Sequence, residues 1–170
     1  MFHIDEYVMH VTGGICQVKG ISPLEISGAD KNRNYYLLVP IRDLTGKVYV
    51  PVDNDVAVRK VITDSEAREL IEEIPTIEEI DIDNDKLREA RYKEAIKGCD
   101  PKDLVKVLKN LNSRRNKRMR EGKKTTATDD KYFKIAEDNL LNELAFVLGK
   151  EKSEIRTVVH TIIDASVTSK

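Results

Sequence analysis

The chain has 170 residues, 40% of them hydrophobic and 35% charged, with a net charge of −1 at pH 7. That is the composition of a globular protein with a heavily charged surface, long enough for one domain or two small ones. It excludes a membrane protein, since no stretch approaches the roughly 20 apolar residues of a span. The N-terminus MFHIDEYVMH lacks the basic and apolar regions of a signal peptide. Cys16 and Cys99 fit no C-x-x-C pattern. They read as small apolar residues in a reducing cytoplasm. The near-zero net charge averages two opposed blocks: residues 63–85 hold ten acids against the single Arg68, while residues 102–124 hold ten Lys or Arg against Asp103 and Glu121.

Residues 1–61 read as β. Five short runs rich in Val, Ile and Tyr (YVMHV, ICQVKGI, YYLLVP, KVYVPV and DVAVRKV) are separated by turn chemistry. Gly13-Gly14 predicts a tight primed hairpin, which needs positive φ. Five strands in so short a stretch suit a strongly bent barrel, because a flat sheet of that size buries too little. Pro51 gives up a ladder donor and so places the KVYVPV run at an edge or a strand end. An exposed edge is where a strand of another protein can add.

Helix begins near residue 63, where Thr63-Asp64-Ser65-Glu66 forms a capping box for a short acidic helix over 64–73. Residues 74–85, IPTIEEIDIDND, with isoleucines at 74, 77, 80 and 82, read as a docked acidic connector. The domain boundary is placed at 62–64, giving domains 1–62 and 63–170. Asn84 or Asp85 can cap a helix running to about Lys97 and ended by Gly98. Asp100-Pro101 is an N-cap followed by an N1 proline. The helix it opens carries an apolar stripe at Leu104, Val107, Leu108 and Leu111, after which the stripe gives way to Arg114, Arg115, Lys117 and Arg118. Such a run is either a solvated helix end or a surface for an anionic partner. Thr128 to Asp130 start the longest helix, closed by Gly149, and a last helix runs from about Ser153 to Ile163. The expected fold is therefore α+β with two domains: a Tudor/SH3-like five-stranded β-barrel, then an all-α helical bundle.

Catalytic constellations are not found. His3, His10 and His160 have no partner at metal-ligand spacing. The Asp81-x-Asp83-x-Asp85 run resembles the start of an EF-hand loop but has Lys86 where glycine is needed and Tyr92 where a bidentate Glu belongs. No phosphate-binding glycine loop, nucleophile elbow or acid–base carboxylate pair occurs. The expectation is a non-enzyme with no cofactor and no metal.

A β module, an acidic connector and a basic helical module in this order resemble the CarD family of bacterial transcription regulators. The first module also resembles the RNA-polymerase-interacting domain of transcription-repair coupling factor. The carriers are VMHVTGGICQVKGI (8–21), LEISG (24–28), YYLLVP (35–40), KVYVPVDN (47–54), REARYKEAI (88–96), CDPKDLVKVLKNL (99–111) and NELAFVLG (142–149). The resemblance implies a Tudor-like barrel that binds the β subunit of RNA polymerase partly strand to strand. It implies a helical domain lying on promoter DNA at the upstream edge of the melted region, in a bacterial, nucleoid-associated cytoplasmic protein. It places Leu24, Glu25 and Ile26 with Tyr49, Val50 and Pro51 at the polymerase contact, with barrel core the competing role of the last three. One branch of the family carries Arg at the positions of Leu24 and Tyr49, and this chain departs from it.

The resemblance also implies Arg88, Arg91, Lys93 and Lys131 as DNA-facing. Charge placement alone adds Arg114, Arg115, Lys117 and Arg118. All are expected to act as phosphate contacts, which position without reading bases. Many family members wedge a Trp into the minor groove at the bubble edge. This chain has no Trp, and the matching position falls at Asp81 between Ile80 and Ile82. Either the isoleucines substitute, or the bubble is held weakly, or the DNA contact is different. Two functions are thus expected: a transcription accessory factor bridging polymerase β and promoter DNA to modulate the open complex, or an adaptor whose basic helix docks an acidic protein and no DNA.

Overall fold

A computed structural model describes residues 1–54 and 56–168. Asp55, which opens the fifth predicted β run, lies outside the described residues. The chain divides into two compact units, Met1–Val61 and Ile62–Lys170.

The first unit is a five-stranded antiparallel sheet of β1 (Tyr7–His10), β2 (Gly14–Pro23), β3 (Asn34–Pro40), β4 (Val48–Pro51) and β5 (Val58–Lys60), in the order β4-β3-β2-β1-β5. This is a four-strand meander whose fifth strand returns to the open side of β1. No ladder joins β4 to β5 among the described residues, so the expected barrel is an open sheet by hydrogen bonding. Val8, Cys16, Val18, Tyr36, Leu38, Val50 and Val58 form one core cluster, each no more than 5% exposed. Since these residues all come from the sheet itself, burial to that depth needs it to curl. A register shift between Val18 and Gly20 bends β2 where it must turn most.

The β1–β2 connection differs from the two-residue turn expected. His10 pairs with Gly14 across a three-residue loop, and only Gly14 is left-handed (φ 67°). That is the conformation glycine adopts at the end of a three-residue hairpin loop. His10, 8% exposed, holds the loop: its Nδ1 accepts from the Gly13 N–H at 2.8 Å. Burial keeps this imidazole below its ordinary pKa.

The second unit consists of α1 (Asp64–Glu73), α2 (Arg88–Gly98), α3 (Pro101–Arg120), α4 (Ala127–Leu148) and α5 (Lys152–Thr168), with single 3₁₀ turns at Ile74–Thr76 and Asp85–Leu87. The start of α1 follows from its capping box: the Glu66 N–H donates to Thr63 Oγ1 at 3.2 Å and the Thr63 N–H donates to Glu66 Oε2 at 2.7 Å. Asp100 accepts from the Lys102 and Asp103 N–H groups, with Pro101 opening α3. Thr126, rather than a residue of 128–130, caps α4 by accepting from the Asp129 N–H. Cys99, not Gly98, is the left-handed residue that ends α2 (φ 53°). A non-glycine there costs about 1–2 kcal/mol, and the burial of Cys99 (1% exposed) works against that cost. The helix α5 runs five residues past the expected Ile163, to Thr168.

Leu104, Val107, Leu108 and Leu111 of α3 meet Tyr132, Ala136, Leu140 and Leu144 of α4 in one core, joined by α1, α2 and α5. Tyr92 is fully buried there and donates to Asn110 Oδ1 at 2.5 Å, its phenol pushed up to about 12 by burial.

Candidate functional site

Two surfaces gather the residues singled out by sequence, one in each unit. On the sheet, β4 is an edge strand paired only with β3, with Tyr49 opposite Leu37 and Val50 opposite Tyr36. The Val52 N–H donates to the Asn34 carbonyl at 3.0 Å. By the alternation of an antiparallel ladder, the backbones of Val50 and Val48 then face β3, and those of Tyr49 and Pro51 face away. Pro51 therefore stands where a missing N–H removes nothing from the ladder, and its carbonyl accepts from the Asn54 N–H at 3.0 Å. The Tyr49 N–H and carbonyl have no ladder partner among the described residues. Side chains alternate the other way: Tyr49 is 43% exposed and Val50 is 3% exposed in the core. The Val50 side chain is thus committed to the sheet's own core.

Leu24, half-buried, follows directly on the last residue of β2, and Glu25 and Ile26 are exposed. The Ile26 carbonyl accepts from the Ala29 N–H at 3.2 Å, with Gly28 at φ 90°. This is a turn that needs positive φ at its third residue, hence the glycine. It presents Ile26, 57% exposed, at its first position. Beyond it, Arg33 and Asp53 pair at 2.6 Å and tie the 24–33 loop to the segment after β4. The pair raises the Arg33 pKa and lowers that of Asp53, by hydrogen bonding above all. Sequence reasoning missed Tyr35 and Leu37, half-buried on the same outward face as Tyr49 and Pro51. The period-2 alternation of NYYLLVP was the signal for them.

In the helical unit the structure sorts the cations into two groups. Arg88 and Arg114 are turned inward. Arg114 Nε donates to Asp129 Oδ2 at 2.7 Å and its Nη1 lies 3.3 Å from Asp85 Oδ1. Arg88 also pairs with Asp85, and its Nη2 lies 3.4 Å from Asp129 Oδ1. The Arg88 and Asp129 side chains are only 14% and 8% exposed. This cluster clamps the starts of α2 and α4 to the middle of α3. Tyr132 donates to Glu89 at 2.8 Å, and Lys93 lies 3.2 Å from the same carboxylate, which hydrogen bonding from both lowers in pKa.

The remaining cations face solvent, except that Arg118 is half-buried. Arg115 is exposed, with its guanidinium 5.5 Å from the Phe133 ring centroid, and Lys131 lies 5.4 Å from that of Tyr132. Lys117 and Arg120 are exposed with no ion-pair partner among the described residues. Arg118 Nε donates to the Lys124 carbonyl at 2.7 Å, closing the end of α3. Arg91 and Lys93 are exposed on α2, Arg91 3.6 Å from Glu94. Arg120 and Lys124 were missed by sequence, although they continue the same basic run.

The connector is docked along α3. The Ile80 N–H donates to the Lys106 carbonyl at 3.2 Å, and Lys109 Nζ donates to the Ile77 carbonyl at 2.6 Å. Ile80 and Ile82 pack against the helical core, leaving Asp81 as the exposed side chain of the three. Neither surface presents an activated nucleophile, and the buried Cys16 thiol is pushed up to about 11 by burial. No cluster of three or more potential metal ligands occurs among the described residues. No helix among them is long and apolar enough to cross a membrane.

Residues 2–62 match the CarD-like/TRCF RID domain family. The match runs the length of the first unit and ends where the helical unit begins. It supports an RNA-polymerase-interacting, transcription-related role. No curated protein matches the chain.

Proposed function

We propose that this protein is a transcription accessory factor whose sheet binds the RNA polymerase β subunit and whose helical unit contacts promoter DNA near the upstream edge of the bubble, modulating open-complex stability. The observation that carries the first half is the CarD-like/TRCF RID match over residues 2–62 in a unit whose edge strand leaves the Tyr49 backbone unpaired among the described residues. A strand of the polymerase adds to β4 through that N–H and carbonyl. Tyr49, Pro51, Leu24 and Ile26 supply apolar contact beside the new ladder, and Glu25 a charge at its rim. The second half is supported by the exposed cations Arg91, Lys93, Arg115, Lys117 and Lys131, which act as phosphate contacts. Arg88 and Arg114 serve it indirectly, by fixing the helices that carry the others. Nothing in this role needs a catalytic group, a metal or a cofactor. It places the protein in the bacterial cytoplasm at the nucleoid.

Capture of purified polymerase on the immobilised full chain tests the first half, and the isolated β subunit tests the choice of subunit. Leu24→Arg and Tyr49→Ala are expected to abolish or strongly weaken capture, and undiminished capture by both would overturn the assigned surface. An adaptor with no DNA contact is the second reading, favoured by the exposed Asp81 at the wedge position and the inward turn of Arg88 and Arg114. Crosslinks from position 115 in a promoter complex separate the two: to DNA under the first reading, to protein alone under the second.

A further inference from the structure

Both cations assigned to DNA on α2 come with an acid from the same helix. Arg91 lies 3.6 Å from Glu94, and Lys93 lies 3.2 Å from Glu89. The two acids are held differently. Glu94 is exposed, and Arg91 is its one ion-pair partner among the described residues. Glu89 is tied to a second helix, because the oxygen that meets Lys93 also accepts from the Tyr132 hydroxyl at 2.8 Å. Tyr132 is only 3% exposed, so its hydroxyl is fixed by the core and fixes the carboxylate in turn. Lys131 brings its ammonium to 5.4 Å from the centroid of the same ring. Hydrogen bonds from Tyr132 and Lys93, with the charges of Lys93 and Lys131, hold the Glu89 carboxyl below its ordinary pKa.

We infer that Glu89 is a built-in competitor for DNA: its carboxylate stands where Lys93 and Lys131 would hold a backbone phosphate oxygen, and it keeps the affinity for DNA low. The inference rests on the DNA half of the proposed function, which assigns both lysines to phosphates. A carboxylate and a phosphate present the same thing to an ammonium group, an anionic oxygen within hydrogen-bond reach. With Glu89 in place, one of the two lysine charges is already cancelled. An arriving phosphate must settle beside the carboxylate or displace it. At about 5 Å in water, the repulsion between two unit charges corresponds to about fourfold in affinity. Displacement instead takes the acceptor from the Tyr132 hydroxyl. Both routes weaken binding.

Local helix chemistry explains only part of this arrangement. An acid in the first turn of α2, four residues before a lysine, stabilises the helix. That accounts for a glutamate at position 89, but not for its anchoring by α4 between two cations. A glutamine would satisfy the Tyr132 hydroxyl as well, and only the charge opposes a phosphate. The cancellation is also local: Lys117 and Arg120 at the end of α3 have no carboxylate partner among the described residues.

The test is binding of the full chain to a short fluorescein-labelled duplex, read by anisotropy over a salt series. Glu89→Gln is expected to tighten binding about three- to tenfold at about 0.1 M salt and to steepen the slope of log affinity against log salt by up to about 1. Glu94→Gln removes the same charge from the same helix and is expected to do less. In a Lys93→Gln/Lys131→Gln background the gain from Glu89→Gln is expected to disappear. If Glu94→Gln gains as much, or if the gain survives the loss of both lysines, the effect is one of net charge and the inference is overturned. If the two-lysine variant binds more weakly while Glu89→Gln binds as the unaltered chain does, the DNA reading stands and this inference falls. If no chain shows salt-dependent binding, the DNA reading falls and takes the inference with it. The urea midpoint isolates a structural role: a Glu89 that only fastened α2 to α4 would shift the midpoint and leave DNA affinity where it was, which also overturns the inference.

Discussion

Arg114 and Arg115 are neighbours in sequence with opposite fates. Arg114 is drawn onto Asp129 and Asp85, while Arg115 lies across the Phe133 ring at the surface. The same contrast separates two regions of the α3–α4 pair. At its base, Arg88, Arg114, Asp85 and Asp129 neutralise one another between three helices. At its end, Lys117, Arg120 and Lys124 have no carboxylate partner among the described residues. Composition treats these cations as one basic block. The structure divides them into charges consumed by folding and charges left exposed, and under the proposed function only the second kind adds to DNA affinity.

The largest expected effect breaks the base. Asp129→Ala takes the buried carboxylate from between two largely buried guanidinium groups and leaves them only the exposed one of Asp85. The Arg88 Nε, buried and unpartnered even in the intact cluster, shows how little slack exists. Removing one member of a buried ionic cluster costs about 3–5 kcal/mol, and the urea midpoint of the helical unit is expected to fall accordingly. A loss below about 1 kcal/mol would show the cluster to be as dispensable as a surface pair. Next in size is Thr63→Ala. It is an exposed polar change, but it takes a partner from the Glu66 N–H at the start of α1. The expected loss is about 1 kcal/mol, measured the same way, with Thr63→Ser restoring most of it.

What was legible in the sequence follows the same division between local and long-range chemistry. The capping box at Thr63, the Asp100-Pro101 start of α3 and the Gly149 stop of α4 were readable, because each is settled within a few residues. Pro51 placed its run at an edge or a strand end, and β4 is an edge strand that ends at Pro51. The left-handed Cys99 was not, because burial overrode the preference for glycine one residue earlier. Nor was the inward turn of Arg114, whose partner Asp129 lies 15 residues on and looked like part of a helix start. A charge run announces that cations are present and is silent on which of them meet an acid in three dimensions. Tyr35 and Leu37 were concealed differently: their alternation was visible, but which face of β3 is outward is decided by the whole sheet.

In the sheet unit, His10 extends the comparison to a group consumed by folding in its neutral form. Its Nδ1 accepts from the Gly13 N–H, and burial lowers its folded pKa. The unfolded chain titrates near about 6.5, so below that value it binds a proton the folded chain refuses. Stability from this group is therefore complete above about pH 6.5 and is lost as pH falls toward the folded pKa. The urea midpoint of the sheet unit is expected to fall between about pH 7.5 and about pH 5. His10→Gln, which keeps an acceptor and cannot charge, is expected to flatten that fall.

The smallest effect is expected at the end of α3, and its smallness is the point. Lys117→Gln removes a charge that pairs with nothing within the described residues. It keeps a straight-chain residue of similar helix propensity and leaves Arg118 and Arg120 to face the helix dipole. Its effect on stability is expected to stay within about 0.5 kcal/mol, as for surface positions generally, while its effect on DNA affinity is about one phosphate contact. Charges used in folding show the reverse: Asp129→Ala is felt first in the urea midpoint, and in binding only through the helices it holds. If Lys117→Gln destabilised the helical unit as much as Asp129→Ala does, the end of α3 would be a structural element like its base. The distinction between cations spent on the fold and cations kept for a partner would then have no physical content.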